Sequence, residues 1–274
     1  MISKNHIKLI KQLEQKKYRQ RNGLFVAEGP KVVGDLIAAG YQPAALYATT
    51  PTLLDTYQSQ SSHASMAQAS LITPDELRRI SFLQHPQQVL ALFTLPTTPS
   101  LSISHSLHLS ISTSPSLALA LDGVQDPGNL GTIIRIADWF GIDHIFCSQD
   151  TADAWSPKVV QATMGSIARV SIAYVNLPEL LCSLPADYPV YGTLLDGNNL
   201  YTQPLTPHGI IVMGSEGNGI SSDVRPFVNR RLLIPPFRQG PTAESLNVGV
   251  ATAIVCAEFR RRSKEGIAGS TNES

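Results

Sequence analysis

Residues 117–141, LALALDGVQDPGNLGTIIRIADWFG, combine a short apolar run, a tight loop and an amphipathic stretch. The run 117–121 lies between Pro115 and the turn formers Asp122 and Gly123, which is typical of a strand in a covered parallel sheet. The tripeptide Asp-Pro-Gly at 126–128 cannot continue a strand and leads into a helix. The apolar face of that helix consists of Leu130, Ile133, Ile134 and Ala137. The stretch therefore predicts a strand, a loop and a helix of an α/β fold.

Two polar residues of this helix, Asn129 and Arg135, fall outside its apolar face. A loop that joins a strand to a helix presents free backbone N–H groups at the carboxyl edge of a sheet, where open α/β folds bind ligands. In an ordinary βα unit, however, Asn129 would cap the helix and Arg135 would pair with Asp138 at i, i+3. These residues alone leave both interpretations open.

Two later stretches repeat the pattern. Residues 209–221, GIIVMGSEGNGIS, predict a strand, a glycine-rich loop and the start of a helix. Residues 234–259, IPPFRQGPTAESLNVGVATAIVCAEF, predict a strand end, a long loop and a helix that begins near 244–246. This ordered trio resembles the three motifs of the SpoU/TrmH branch of the SPOUT RNA methyltransferases. The resemblance covers residues 117–262, and a weaker one covers the N-terminal third.

The resemblance implies a two-domain α/β protein. Residues 116–264 would form a parallel-sheet methyltransferase domain with a deep trefoil knot, and residues 1–95 a small α/β RNA-binding domain. Between them, residues 96–115 form a Ser/Thr/Pro-rich linker, in which the apolar alternation over 101–111 leaves a strand and a tether equally open. Residues 265–274 are expected to be a disordered tail. Within the first domain, residues 7–18 predict one amphipathic helix, and the sequence Thr-Pro-Asp-Glu at 73–76 predicts a capped helix start.

The activity implied is methyl transfer from S-adenosylmethionine to a ribose 2′-hydroxyl in RNA. The residues that match the family's catalytic positions are Arg135, Asn129, Glu216, Ser245 and Asn247. The cofactor would be held by backbone at Gly214, Ile234 and Leu246, with Gly217 and Thr193 beside it. The RNA phosphates would be contacted by Lys16, Lys17, Arg19 and Arg21. Because a guanidinium is a poor base, we expect Arg135 to grip the target phosphate while a partner group or water assists loss of the hydroxyl proton.

The glycine-rich loop 214–219 argues against two other ligands. Its G-x-x-G-x-G spacing differs from the dinucleotide fingerprint G-x-G-x-x-G, and no Gly-Lys-Ser/Thr follows for a P-loop. A lone Glu among the glycines is awkward for a phosphate but harmless to a cationic sulfonium. S-adenosylmethionine therefore fits better than NAD. The loop 236–244 is longer than the family's usual one, which leaves its own cofactor contacts open.

Composition sets further bounds. The formal net charge is zero, so no global positive field indicates a nucleic-acid partner, although basic residues cluster within 1–22 and 260–264. Three widely spaced cysteines suggest neither a disulfide framework nor a zinc site, so no metal is expected. No apolar run approaches the length of a membrane span, and the basic N-terminus lacks the apolar core of a signal peptide. These features predict a soluble, cytoplasmic protein.

The sequence thus predicts an RNA 2′-O-methyltransferase that acts on ribosomal RNA rather than transfer RNA, a preference that rests on the resemblance of the N-terminal domain. The family resemblance also implies a homodimer, and Val250, Ile254 and Phe259 could belong to the core or to that interface. Glu28 is interpreted as an acid at a helix N-terminus rather than an RNA contact. The alternatives are a transfer RNA enzyme and a catalytically silent RNA-binding homologue, with an NAD-dependent oxidoreductase a distant third. The target nucleotide is not readable from the sequence.

Overall fold

The computed structural model describes residues 2–60, 68–96, 116–241 and 243–270. The chain divides into two compact units. Unit 1 comprises Met1–Thr97 and Asp153–Arg169, and unit 2 comprises Thr98–Ala152 and Val170–Ser274. The segment 153–169 therefore groups with the N-terminal unit, although the sequence analysis places it in the methyltransferase domain. Most of the predicted linker, including its alternating segment, lies outside the described residues.

Unit 1 is a small α/β unit around a four-stranded sheet with the order β1-β4-β2-β3. Strand β4 is antiparallel to β1 and β2, whereas β3 is parallel to β2. Strand β3 was not predicted from the sequence. The elements are α1 (Lys4–Gln12), α2 (Lys16–Asn22), β1 (Leu24–Glu28), α3 (Pro30–Ala38), β2 (Pro43–Ala48), α4 (Pro51–Gln60), β3 (Gln68–Leu71), α5 (Pro74–Ile80), β4 (Val89–Thr94) and α7 (Pro157–Ala162).

Local side-chain contacts explain two features of unit 1. The predicted helix start at 73–76 is confirmed as a capping box, in which the Thr73 side chain accepts from the Glu76 N–H and the Glu76 carboxylate accepts from the Thr73 N–H. The single helix predicted over 7–18 is wrong, because the chain forms α1 and α2 instead. Arg19 Nη1 donates to the carbonyls of Leu13 and Glu14, at 2.7 and 2.6 Å, and so occupies acceptors that a continuous helix would use.

Unit 2 is built on a six-stranded parallel sheet with the order β10-β8-β9-β5-β6-β7, which confirms the predicted parallel-sheet α/β fold. Every residue of β5 is buried, as expected for a strand covered on both faces. The elements are β5 (Leu117–Asp122), α6 (Pro127–Trp139), β6 (His144–Cys147), β7 (Ser171–Tyr174), α8 (Leu177–Cys182), β8 (Val190–Asn199), β9 (Gly209–Gly214), β10 (Arg230–Leu233) and α9 (Val248–Ser270).

Three boundaries in unit 2 differ from the sequence predictions. The chain after the glycine-rich loop forms turns and a short 3₁₀ segment, Arg225–Phe227, rather than an α-helix. Helix α9 begins at Val248 instead of near 244–246. It continues to Ser270, so residues 265–270 are helical where a disordered tail is predicted.

The basic cluster on α9 has a structural role. Arg260 donates to the carbonyls of Phe140 and Gly141, both at 2.6 Å, at the end of α6. Arg262 bonds Glu258 at 2.7 Å and the carbonyl of Gln203 at 2.6 Å. These contacts fasten α9 to neighbouring loops, so these two guanidiniums are engaged within unit 2. No helix in the described residues is long and apolar enough to cross a membrane.

Candidate functional site

The strand register brings three loops to one edge of the sheet in unit 2. Asp122 at the end of β5 pairs with Gly214 at the end of β9, and Leu121 pairs with Cys147 at the end of β6. Because these strands are parallel, the loops that follow them leave the sheet side by side. Residues 123–126, 148–150 and 215–219 therefore meet at the carboxyl edge, where α/β sheets bind ligands.

The start of α6 is capped by Asp126, and this frees Asn129. Asp126 has extended backbone, and its Oδ1 accepts from the Asn129 N–H at 2.8 Å. The interpretation of Asn129 as the cap of this helix is therefore wrong. Its side chain is available for contacts elsewhere in the fold.

The glycine-rich loop is a tight turn closed by paired backbone bonds between Ser215 and Gly219, at 2.9 and 3.0 Å. A Cβ at Gly214 would lie 2.1 Å from the backbone carbon of Gly219, so the turn cannot accommodate a side chain there. The Ser215 hydroxyl also accepts from the Asn218 N–H at 3.1 Å. Glu216 consequently projects from a turn whose shape is fixed on both sides.

Three residues from the three sequence motifs form one hydrogen-bond network. Glu216 Oε1 accepts from Asn129 Nδ2 at 3.0 Å and from Asn247 Nδ2 at 2.7 Å. Asn247 Nδ2 also donates to Asn129 Oδ1 at 2.8 Å, and the Val248 N–H reaches the same Glu216 oxygen at 3.4 Å. These residues are 87 and 118 positions apart in the chain, so the contacts exist only in the folded unit. We call Asn129, Glu216 and Asn247 the amide–carboxylate triad.

Asn247 has a second role as the cap of α9. Its Oδ1 accepts from the N–H groups of Gly249 and Val250, at 3.0 and 3.2 Å. Asn247 is therefore the side chain that caps this helix, although Ser245, two residues earlier, is also a residue type that favours this position. Ser245 is exposed and makes no hydrogen bond to any residue that the structure describes.

A cavity of about 330 Å³ lies beside the triad, within unit 2. Four carboxylates line it and no lysine, arginine or histidine does, so its electrostatic character is acidic. Among the described residues, no three His, Cys, Asp or Glu side chains are grouped so that they could hold a metal ion. The lining residues are Asp122, Gly123, Val124, Gln125, Asp126, Asn129, Asp150, Ser215, Glu216, Gly217, Asn218, Gly219, Ser221 and Val248.

A polar cluster under the cavity fixes the loops after β5 and β6. The buried Ser148 hydroxyl accepts from the Gly123 N–H at 2.9 Å and donates to Asp150 Oδ1 at 2.5 Å. It also lies 3.0 Å from Thr151 Oγ1, which donates to the Leu121 carbonyl at 3.1 Å. Sequence reasoning missed Ser148 and Asp150. Their position immediately after a strand of the parallel sheet was the signal that could have found them.

Three of the five positions predicted for the cofactor, Thr193, Gly214 and Ile234, lie on or directly after the adjacent strands β8, β9 and β10, whereas Gly217 and Leu246 lie in loops. Thr193 Oγ1 donates to the Val212 carbonyl at 3.5 Å, which places it beside the end of β9. Ile234 directly follows β10, and Leu246 is about half exposed in the loop before α9. Of the five positions, only Gly217 lines the cavity described above. The structure thus brings Thr193, Gly214 and Ile234 onto or next to neighbouring strands, and Gly214 leads directly into the loop that lines the cavity.

Arg135 stands apart from the triad. It is exposed on α6 and forms no hydrogen bond or ion pair with a described residue. Six residues after Asn129, it lies about 9 Å further along the helix and about 120° around it. Its guanidinium is therefore free within the described part of this chain, but it does not contact the other predicted catalytic residues.

The predicted RNA contacts in unit 1 differ in their accessibility. Lys16, Lys17 and Arg21 are exposed on α2. Arg19 is only 2% exposed, and its Nη2 lies 2.5 Å from Asp153 Oδ2. The prediction that Arg19 contacts RNA is corrected by this burial, because its donors already serve carbonyls and a carboxylate within unit 1.

Glu28 is also a buried residue of unit 1. Its carboxylate accepts from the Ser81 hydroxyl and from the Phe82 N–H, the latter at 2.8 Å. Burial raises the pKa of the Glu28 carboxyl, against the opposing effect of these hydrogen bonds and of Lys11. The residue holds the chain after α5, rather than acting at the N-terminus of α3 as the sequence analysis expects.

Comparison with known families finds two matches that together span most of the chain. The sequence profile of the SpoU rRNA methylase family matches residues 116–257, and that of an MRM3-like substrate binding domain matches residues 4–91. The 23S rRNA (guanosine(2553)-2′-O)-methyltransferase RlmP of Bacillus subtilis is 29% identical over 252 residues, which cover 91% of this chain and 94% of the relative.

Solved structures show the same similarity over nearly the whole length. A protein from Porphyromonas gingivalis assigned to the TrmH family of RNA methyltransferases is 42% identical with a TM-score of 0.81, covering 96% of this chain and 99% of the other. The AdoMet-bound rRNA methyltransferase from Sinorhizobium meliloti is 28% identical with a TM-score of 0.83, covering 96% of both chains. The architecture is thus shared with enzymes of this kind across both units.

Proposed function

Since this chain belongs to the SpoU rRNA methylase family, we propose that it transfers a methyl group from S-adenosylmethionine to a ribose 2′-hydroxyl of ribosomal RNA. The observation that carries the proposal is the amide–carboxylate triad, which joins one residue from each of the three sequence motifs. A network assembled from such distant positions, beside a cavity at the carboxyl edge of a parallel sheet, is the arrangement of a ligand site.

The residues around β8, β9 and β10 fit S-adenosylmethionine. Gly214 leaves no room for a side chain, whereas no atom lies within 4 Å of the position that a Cβ on Gly217 would occupy, so the loop offers backbone and open space. The backbone of Ile234 and Leu246 makes no hydrogen bond within the described residues, which leaves polar groups for a ligand. We assign the cofactor to Thr193, Gly214, Gly217, Ile234 and Leu246. A trefoil knot through these loops belongs to the same proposal.

The chemistry divides between the cofactor and this chain's side chains. When bound, S-adenosylmethionine supplies an electrophilic methyl group on a positively charged sulfur. The Glu216 carboxylate provides a nearby negative charge that favours a sulfonium, and the two asparagines hold that carboxylate in place. Asn247 ties this arrangement to the start of α9, since the same side chain caps the helix. We include Ser245 in the site for its place beside Asn247 in the third motif.

The role of Arg135 is to hold the substrate. Its exposed guanidinium has the fork geometry that binds a phosphate with two hydrogen bonds, and its high pKa makes it a poor proton acceptor. We assign it to the target phosphate, so that the 2′-hydroxyl is oriented for in-line attack on the methyl carbon while water or a partner group takes the hydroxyl proton. Orientation of this kind supplies much of the rate enhancement when the reaction joins two bound groups.

A homodimer is part of the proposal. Helices α6 and α9 pack together, yet Trp139 is 85% exposed and Val250 is 50% exposed, so each helix keeps an apolar side chain available to a second copy. Phe259 is 1% exposed and belongs to the core. In a dimer, the Arg135 of one copy can act at the triad of the other copy, since Arg135 does not contact the triad of its own chain.

Unit 1 is assigned to RNA binding. Exposed Lys16, Lys17 and Arg21 lie on one short helix, where lysines and arginine can neutralise phosphates in a salt-dependent manner. The match to a substrate binding domain over residues 4–91 supports the same assignment. We place the enzyme in the cytoplasm, where ribosomal RNA is available in the bacterial relatives' cells.

The test measures binding of S-adenosylmethionine and, separately, binding of RNA. Titration of the purified protein with S-adenosylmethionine by calorimetry should show binding, and Asn247→Ala should weaken it. Asn176→Ala is a matched control, because Asn176 also caps a helix of unit 2 but lies outside the triad. RNA binding without any cofactor binding would instead identify a catalytically silent homologue.

A further inference from the structure

The edge of the sheet in unit 2 carries an excess of positive charge. Residues 225–241, RPFVNRRLLIPPFRQGP, contain four arginines and no carboxylate. They include the edge strand β10 and part of the loop that follows it. Arg225 and Arg231 share one carboxylate of β8, that of Asp196, at 2.6 and 3.2 Å. The segment therefore stays positive, although the chain as a whole has no formal net charge.

Two of these arginines have no partner in the described part of the chain. Arg230 and Arg238 are exposed, and neither makes a hydrogen bond or an ion pair with a described residue. By contrast, Arg260 and Arg262 of α9 donate to carbonyls within unit 2. A free guanidinium keeps its five N–H donors, in a fork that fits the oxygens of a phosphate. The edge at β10 is thus able to bind an anion.

An exposed aromatic pair accompanies these cations. Phe237 directly precedes Arg238 and is 84% exposed, and Tyr201 is 39% exposed. The ring centroids lie 6.2 Å apart with an interplanar angle of 41°, so the rings touch while most of the phenylalanine stays uncovered. Charges on an edge strand can serve simply to prevent its pairing with another sheet, but an exposed phenylalanine does not serve that purpose. The ring therefore points to a ligand with a flat, apolar face.

The turn that carries Tyr201 is held in place by α9 and β10. Arg262 donates to the carbonyl of Gln203 at 2.6 Å and to the carbonyl of Tyr201 itself. The same guanidinium donates to Glu258, a carboxylate that is only 7% exposed, at 2.7 Å. The N–H of the residue before Tyr201 donates to the Leu233 carbonyl, at the end of β10, at 2.8 Å. The tyrosine is thus presented in a fixed position, which lowers the entropic cost of binding a ligand.

The exposure and the charge together favour one kind of ligand. Neither Phe237 nor Tyr201 lines the cavity beside the triad, and a cofactor binds in a concave site that buries most of its surface. A second copy of this chain has the same positive segment, so a symmetric contact between the two segments would be repulsive. An RNA strand suits both features, because unpaired bases stack on aromatic rings and phosphates bind arginines.

We infer that Tyr201, Phe237, Arg230 and Arg238 form a surface for single-stranded RNA, on which an unpaired base stacks against Phe237 and the two arginines bind the flanking phosphates. Phe237 lies in the loop between two positions assigned to the cofactor, so a strand held there would pass close to the methyl donor. The surface belongs to unit 2 and is additional to the basic helix of unit 1. This inference rests on the proposed function and names the form of RNA that unit 2 recognises.

Fluorescence anisotropy with a labelled single-stranded RNA of about 12 nucleotides tests the stacking contact in the full chain without cofactor. Phe237→Leu keeps an apolar side chain but removes the ring, and it should weaken binding at least about fivefold. Phe237→Tyr keeps a ring and should bind as the wild type does. On a blunt double-stranded RNA, in which no base is unstacked, Phe237→Leu should have no effect. An equal loss on both RNAs, or no loss on the single strand, would overturn the inference.

The salt dependence of binding tests the two cations. For a single strand, each lost phosphate contact lowers the slope of log K against log salt concentration by about 0.7. The double variant with Arg230→Gln and Arg238→Gln should therefore lower the slope by about 1.4. The matched variant with Arg230→Lys and Arg238→Lys should keep the slope, and so should Phe237→Leu. An unchanged slope in the double glutamine variant would overturn the phosphate contacts.

Three further measurements on Phe237→Leu exclude other roles for the ring. Its stability in urea, its binding of S-adenosylmethionine and its oligomeric state by sedimentation should all match the wild type. Weaker cofactor binding would place the ring at the cofactor, and a changed oligomeric state would place it between two copies; either result would overturn the inference. A wild type that binds the single strand through Phe237 but neither binds S-adenosylmethionine nor transfers its methyl group would overturn the proposed function and leave the RNA surface standing.

Discussion

Replacement of Asn247 separates two effects of one side chain. Asn247→Ala removes the cap of α9 and both triad hydrogen bonds, whereas Asn247→Ser keeps a hydroxyl that can cap the helix but has no amide to reach Asn129 and Glu216. Loss of an asparagine cap costs about 1 kcal/mol. The two amide bonds add about 1 kcal/mol, a low value because the site is open to solvent. We therefore expect Asn247→Ala to lower the free energy of unfolding by about 2 kcal/mol and Asn247→Ser by about 1 kcal/mol.

Urea denaturation measures these differences, and hydrogen exchange locates them. The amides of Gly249 and Val250 should lose protection in Asn247→Ala but keep most of it in Asn247→Ser. Both variants should lose at least about tenfold in methyl transfer, since both break the triad. Asn176→Ala should cost about 1 kcal/mol and leave methyl transfer unchanged. Equal destabilisation by alanine and serine would refute the cap, and full activity of either variant would refute the catalytic importance of the triad.

Three further results are expected. Arg19→Ala should lower the free energy of unfolding, measured by urea denaturation, by about 3 kcal/mol, because Asp153 loses the guanidinium it pairs with. A variant that binds RNA more weakly but is as stable as the wild type would contradict this structural role of Arg19. Because the pKa of the Glu28 carboxyl is raised on folding, the wild type should lose stability as pH rises from the ordinary pKa of 4.5 through the raised one. Glu28→Gln should lack this loss when both proteins are titrated with urea at several pH values. Parallel pH profiles of the two proteins would refute the assignment of this loss to Glu28. Only Cys182 is exposed among the three cysteines, so a thiol reagent should modify one thiol in the native protein and three after denaturation, and rapid modification of a second would disagree with the burial.

Much of unit 2 could be predicted because its signals are local. A strand is predicted by the apolar run 117–121 and a helix start by the tripeptide at 126–128, and neither prediction needs information from distant residues. The position of the site at the carboxyl edge then follows from the parallel order of the sheet. The three sequence motifs identify Asn129, Glu216 and Asn247 as site residues before any of their contacts is known.

Other features depend on contacts between distant residues, which no local pattern encodes. Asn129 and Asp126 are both residue types that cap helices well. Only the folded structure shows that Asp126 caps α6 while the Asn129 side chain contacts Glu216. Arg19 has the same sequence character as Lys16 and Lys17, yet it is buried because Asp153 lies 134 positions away in sequence and beside it in the fold. The helix expected after the glycine-rich loop is replaced by turns, in which the Ser221 N–H bonds Asp122 instead of continuing a helix.

The proposed chemistry is tested most directly by the nucleoside that the protein modifies. Transcribed ribosomal RNA is incubated with wild-type protein or with a variant that carries Asn129→Ala and Asn247→Ala together, and the digested products are analysed by mass spectrometry. We predict a single ribose 2′-O-methylated nucleoside that requires both S-adenosylmethionine and the intact triad. A methyl group on a base, or an equal yield from the double variant, would contradict the proposed chemistry.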